Sequence, residues 1–522
     1  MEQSRLRRSA VWALVSAAYL CASPYFEQLN NPNENVRVWA TRAVVAHGVL
    51  NIDDVVREWG YVNDKAKNER HIYSSKAPGV SLLGVPVLFV QTRLRALMGW
   101  GAPDKRETTF WLRLFVVKLP MCAFLWAFAR YVERRTASPF ARDLLVVALG
   151  LGTMLYPYGG MFVGHALAAA AAFSAFMLLD LAEPSTTFRQ IALAGTLAAA
   201  AVVLEYQVLL VAAVLAVYAA VRHRRRALWF ALGALPLAVA LGAYHQALFG
   251  KPWTFPYANI ENPVFAKTAH AAGFHGLAWP HLRTFPTFLF SPAYGLFAFS
   301  PVLLPGLVAA IWLVARGGRA AAAARRDAWL VLAICAVMFL FLSGMSNWRA
   351  GWCVGPRYIA VVAPFLLLPV IQLWPAIARR WWATAGLVGL AAASVVLNVV
   401  SGALYPHYPE SLANPVFELA FPLLGAGYAP YGLGWAVGLR GLAAMAPLAA
   451  LVAGAFALVV VGLVGLDRAR RAGQAGLALA VAALFLVGVD LAAQTPRAER
   501  ARVSAFVRGT WEPHSGVPGV RR

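Results

Sequence analysis

Charge is scarce in this chain: Asp, Glu, Lys and Arg together make 13% of its 522 residues, against about 25% in soluble globular proteins. Hydrophobic residues make 60%, so the composition excludes an ordinary water-soluble domain and points to an all-α, polytopic integral membrane protein. Cysteine is scarce too. Four cysteines exclude a disulfide scaffold, and Cys21, Cys122 and Cys335 fall inside apolar runs where packing accounts for them, leaving only Cys353 in a loop. Leu20 stands where a lipoprotein signal needs a small residue before Cys21. Acidic residues number 23 against 46 basic ones. That excess punctuates the apolar runs as topology signals do, which argues against a nucleic-acid partner. The chain also lacks a strong internal repeat, the usual mark of a secondary transporter.

What it has is apolar length. Thirteen runs, from 11–26 to 474–494, approach the roughly 20 residues a helix needs to cross the hydrocarbon core. Arg5, Arg7 and Arg8 precede the first run, which reads as a retained span. Glu205 divides one stretch into two short spans, 190–205 and 206–221. A fourteenth segment, 77–90, holds Pro78, Gly79, Gly84 and Pro86 and is followed by Arg93 and Arg95; at 14 residues it reads as interfacial or re-entrant. With that segment left out and the N-terminus inside, five short Arg-rich loops, among them 130–142 and 222–226, fall on the cytoplasmic side. The same alternation makes 1–494 the transmembrane domain, places 27–107 outside as a long first loop with nine of the 23 acids, and leaves 495–522 as a basic tail.

Three outer segments carry candidate chemistry. In the first loop, Asn31-Pro32-Asn33-Glu34 opens an apolar stripe of Val36, Trp39, Ala40, Ala43 and Val44 at helical spacing, stopped by Gly48. Asn33 is expected as N-cap and Glu34 as the first helical residue, where a carboxylate serves either the helix dipole or catalysis. Next comes Tyr73-Ser74-Ser75-Lys76-Ala77-Pro78-Gly79; Lys76 either snorkels to the membrane surface or meets a phosphate there. The third segment, before the tenth span, ends in Gly355-Pro356-Arg357-Tyr358. The topology rule does not call for Arg357 on an outer face, whereas guanidinium recognition of a phosphate does.

In their order and side, these segments resemble the GT-C superfamily of polytopic glycosyltransferases, over roughly residues 31–414. Asn33-Glu34 is similar to that family's acidic pair opening a juxtamembrane helix, and Lys76-Ala77-Pro78 to its Lys-Pro-Pro-like entry to a second surface helix. The family's second outer loop often carries an acid where this chain has His165, after Tyr156-Pro157-Tyr158-Gly159-Gly160. Asn33 in the first position of the pair and His165 leave one carboxylate, so a divalent metal is admitted by the resemblance but poorly provided for.

The resemblance implies a sugar transferred from a polyprenyl-phosphate donor to a hydroxyl of a lipid, glycan or protein, with inversion, by a hexosyl- or pentosyltransferase. Glu34 would be the base, with His165 beside it; Lys76, Arg357 and Tyr358 would hold the donor phosphate; Asn33, Tyr73 and Glu205 would support. Glu205 and His165 also have structural readings, at a helix break and a helix end. Arg in excess of Lys, with abundant Ala, suggests a bacterial inner membrane, with the site on its outer face serving the cell envelope. A transporter or lipid flippase, or a non-catalytic membrane subunit, would use some of the same residues.

Overall fold

The computed structural model describes residues 2–29, 31–182, 188–269, 272–319, 321–466 and 468–511. Most of it is helical. Among the described residues the one sheet is a hairpin of Lys65–Lys67 and Ile72–Ser74, with Lys65 opposite Ser74 and Ala66 opposite Tyr73.

Among the described residues seven helices are long and apolar enough to cross a membrane: Gly79–Leu97, Lys105–Arg135, Tyr206–Phe249, Ala322–Gly344, Trp381–Leu404, Gly441–Gly465 and Arg471–Ala492. Six shorter apolar helices accompany them, including Ser9–Cys21, His165–Leu181 and Val362–Ala378. At the centre lies Pro139–Leu151, buried at every residue from Phe140 onward; a helix apolar all round is stable only where others surround it. Nearby, Phe173 packs edge-on or tilted against Phe124, Phe128, Tyr131, Phe176 and Phe365. The outside is the inverse of a soluble surface. Leu82, Leu83, Phe89, Val90 and Leu94 are exposed on one helix and Leu479, Leu484 and Leu491 on another. Apolar faces of this extent fit lipid and not water.

Four expectations change. The segment 77–90 is part of the 19-residue helix Gly79–Leu97. Pro86 is tolerated inside it, and the polar residues to Leu97 extend it, with Thr92 bonding back to the Leu88 carbonyl. Its length and composition therefore match those of a crossing helix, which removes the ground for omitting it from the topology. The run 143–157 is not one span: helix ends at Leu151 and a separate short helix, Leu155–Gly159, follows. The juxtamembrane helix starts earlier than expected, with Asn31 as N-cap and Pro32 as the first helical residue. Proline suits that position because its missing N–H would have no partner there. The tail is not free. Arg497–Gly509 is a helix, and Val503, Val507 and Trp511 bury themselves beside Phe26, Tyr405 and Tyr428; residues 512–522 lie outside the described residues.

Other expectations hold. The helix Phe188–Leu204 breaks at Glu205, whose backbone is extended, and a new helix begins after it. Gly48, at φ 68°, closes the juxtamembrane helix in the left-handed conformation that glycine adopts without steric cost.

Candidate active site

A cavity of about 980 Å³ opens among the segments that carry the candidate residues. The first loop contributes Asn31, Asn33, Asp64 and Lys76; the loop after the ninth expected span gives Trp352, Arg357 and Tyr358; His407, Glu410 and Phe506 come from later in the chain. Tyr206, Phe255 and Tyr257 make the wall partly aromatic.

The hairpin places Lys76. Pairing of Lys65 with Ser74 sets the flanking residues side by side, and the backbone N–H and hydroxyl of Ser75 both donate to the Asp64 carbonyl, at 3.1 and 2.9 Å. Lys76 follows directly, its ammonium 3.0 Å from Asp64 Oδ2. Burial lowers the Lys76 pKa; Asp64 opposes that shift, while the Arg357 and Arg37 charges reinforce it. Two cations that repel one another in one cavity wall define an anion site.

Arg357 is placed by its loop. Its guanidinium donates from Nη2 to the Ala350 carbonyl at 2.6 Å, while Nε has no protein partner among the described residues. The loop turns at Gly355, φ 58°, where a Cβ would also come 2.7 Å from Met154 Sδ. Tyr158 ties the same loop to the short helix Leu155–Gly159: its hydroxyl donates to the Val354 carbonyl at 2.6 Å and accepts the Val354 N–H at 3.1 Å.

Asn33, Lys76, Arg357 and Tyr358 thus line one cavity. Glu34 does not join them. One residue on from Asn33, it turns away from the cavity, 3% exposed. Both its oxygens are taken by Arg113, at 2.7 and 2.6 Å, and Oε1 also accepts the Phe162 N–H at 2.6 Å. Burial raises its pKa, but the Arg113 charge and these hydrogen bonds more than offset that and lower it. A carboxylate so engaged has three donors on its two oxygens and serves structure here, apart from the cavity at which it was expected as base.

Glu205 is its counterpart. Oε1 accepts from Arg37 at 2.7 Å and from the Gly164 N–H at 3.1 Å, so two carboxylates, each held by an arginine, pin the backbone of 162–164. A Cβ at Gly164 would lie 2.3 Å from the Leu204 carbonyl oxygen and 2.7 Å from Glu205 Oε1, so only glycine permits this approach. Arg37 also donates to Asn33 Oδ1 at 3.2 Å and to the Ala77 carbonyl at 3.0 Å, orienting the cavity-lining amide. His165 sits behind the wall, 3.6 Å from Glu205, with its ring edge toward Tyr358. Tyr73 is also behind it; its hydroxyl accepts from Asn68 and its ring packs on Phe249.

Sequence reasoning missed Arg37, Arg113, Asp64, His407 and Glu410. Arg37 was accessible in principle, four residues beyond Asn33 on one helix face; the other four reach the site through tertiary folding alone. Among the described residues no three His, Cys, Asp or Glu side chains gather as a metal site. Glu34 and Glu205 are occupied by arginines and Asp64 is paired with Lys76, which leaves Glu410 as the cavity-lining carboxylate without an ion pair among the described residues, too few oxygen ligands for a divalent cation.

No family model matches the chain, and no curated protein matches it. Solved structures to which the chain is similar include three membrane-enzyme structures. The arabinosyltransferase EmbB of Mycobacterium smegmatis shares 15% identity at a TM-score of 0.47, over 93% of this chain and 40% of EmbB. This chain therefore spans well under half of EmbB. ArnT of Cupriavidus metallidurans in the apo state shares 17% at a TM-score of 0.46, over 93% of this chain and 78% of ArnT. Its complex with undecaprenyl phosphate shares 14% at a TM-score of 0.43, over 97% and 80%.

Proposed function

We propose that the protein is a membrane glycosyltransferase of the GT-C type, moving a hexosyl or pentosyl group from a polyprenyl-phosphate donor to a hydroxyl acceptor. The observation that carries the reading is the convergence of Lys76 and Arg357, from segments almost 300 residues apart in sequence, on one partly aromatic cavity. Their mutual repulsion is relieved by a bound phosphate. Charge accumulates on that phosphate as the bond to the anomeric carbon breaks, so preplaced cations stabilise the transition state more than the ground state. The exposed apolar helix faces suit a donor whose prenyl tail lies in lipid.

Displacement from the face opposite the phosphate inverts the anomeric centre and needs a proton acceptor away from Lys76. Glu410 lines the cavity, is exposed, and forms no ion pair with a described residue. It takes the proton in this reading, in place of Glu34. The cavity then opens to the outer face of a bacterial inner membrane, and the acceptor is a lipid, glycan or protein of the cell envelope.

The test supplies purified protein in vesicles with a radiolabelled polyprenyl-phosphate sugar and a membrane extract as acceptor source. Labelled product that is lost on Lys76→Ala and on Glu410→Gln supports the proposal. Sugar crossing the vesicle without bond cleavage would replace it with transport.

A further inference from the structure

The cations of the cavity wall are only partly neutralised. Arg37 is paired with Glu205 and Arg113 with Glu34, so neither of those carboxylates is available to Lys76 or Arg357. Asp64 is. Its Oδ2 lies 3.0 Å from the Lys76 ammonium, its side chain is 20% exposed, and it lines the cavity. Lys76 is its only side-chain partner among the described residues, so its second oxygen has no protein donor. Glu410 also lines the cavity but pairs with neither cation. Lys76, Arg357 and Asp64 therefore present one uncompensated positive charge at the anion site.

One positive charge matches a phosphodiester, and sugar transfer changes that match. The acceptor oxygen bonds to the anomeric carbon, and the bond from that carbon to the phosphate oxygen breaks with its electron pair left on the phosphate. The hydroxyl proton passes to Glu410 and then to water. A phosphodiester of charge one has become a monoester, which carries about 1.5 to 2 negative charges at neutral pH. The added charge arises in a site where the Asp64 carboxylate already faces the lysine that must hold it, and like charges at such separations repel strongly when partly desolvated.

We propose that Asp64 is a charge-matching residue that makes this cavity select a singly charged lipid phosphodiester over a doubly charged lipid phosphate monoester. It would thereby favour donor over spent carrier and speed product release. The proposal rests on the glycosyltransferase reading, since that reading places lipid phosphates in the cavity.

The test measures binding of geranylgeranyl phosphate and of its methyl diester to the full-length protein in nanodiscs at about pH 7.5, where the monoester is close to doubly charged. The wild type is expected to bind the diester more tightly. Asp64→Asn should move the affinity ratio toward the monoester by on the order of tenfold, while Asp64→Glu, which keeps the charge, should hold the wild-type ratio. A folded Asp64→Asn protein with an unchanged ratio overturns the inference and leaves the reading of the site standing. If the variant does not fold, a wild type that prefers the monoester overturns it equally. Failure of the wild type to bind either lipid rejects the reading of the site, and the inference with it.

Discussion

The Glu34 carboxylate meets the Arg113 guanidinium at two points, 2.7 and 2.6 Å apart, with both side chains buried. Such a pair holds structure, and losing one partner strands the other charge in the interior. Glu34→Ala is expected to destabilise the protein by about 3–5 kcal/mol. Thermal unfolding in detergent checks this. Any loss of transfer activity should follow the folded fraction, and a folded Glu34→Gln protein without activity would return this residue to catalysis.

Gly164 is expected to tolerate no side chain. Its replacement by Ala drives a methyl group toward the Leu204 carbonyl and Glu205 and lifts the Gly164 N–H from its carboxylate. The expected cost is about 1–3 kcal/mol, with the unfolding midpoint as readout.

Lys76 should lose its charge at lower pH than an ordinary lysine, because burial and the neighbouring Arg357 and Arg37 depress its pKa more than Asp64 restores it. The protonated form binds phosphate. Affinity for a lipid phosphate is therefore full below the shifted pKa and declines as pH rises through it, before the usual lysine range near about 10.4. In Lys76→Arg, whose guanidinium stays charged, that alkaline decline should vanish.

Arg357→Lys keeps a charge but loses the planar fork that bonds the Ala350 carbonyl through Nη2 and holds the cation at the cavity wall. Lipid-phosphate affinity should fall by roughly tenfold to a hundredfold, the worth of one or two charge-assisted hydrogen bonds. Calorimetric titration would detect it. Unchanged affinity would remove Arg357 from the anion site.

Chelation should leave sugar transfer unchanged, because Asp64 is paired with Lys76, Glu34 and Glu205 are spent on arginines, and among the described residues no three His, Cys, Asp or Glu side chains gather. Activity lost to chelator and restored by one added divalent cation would contradict this.

Composition and hydropathy settled the membrane class, the helical content and the break at Glu205, because a lipid solvent leaves a chain few ways to satisfy its backbone. Lys76 and Arg357 were legible for a related reason: each is a cation at an apolar boundary, where its cost demands an explanation. Glu34 was read on that same logic, without its partner. Sequence shows that a charge needs a partner but not which partner it finds, and Arg113 lies 79 residues away. Tertiary structure alone decided that Asn33 faces the cavity and Glu34 the interior, that the hairpin register sets Asp64 against Lys76, and that Glu410 and Phe506 close on the same space. Hydrophobic pattern is written along the chain, residue by residue. The pairing of charges depends on distances across it, which exist only once the helices have packed.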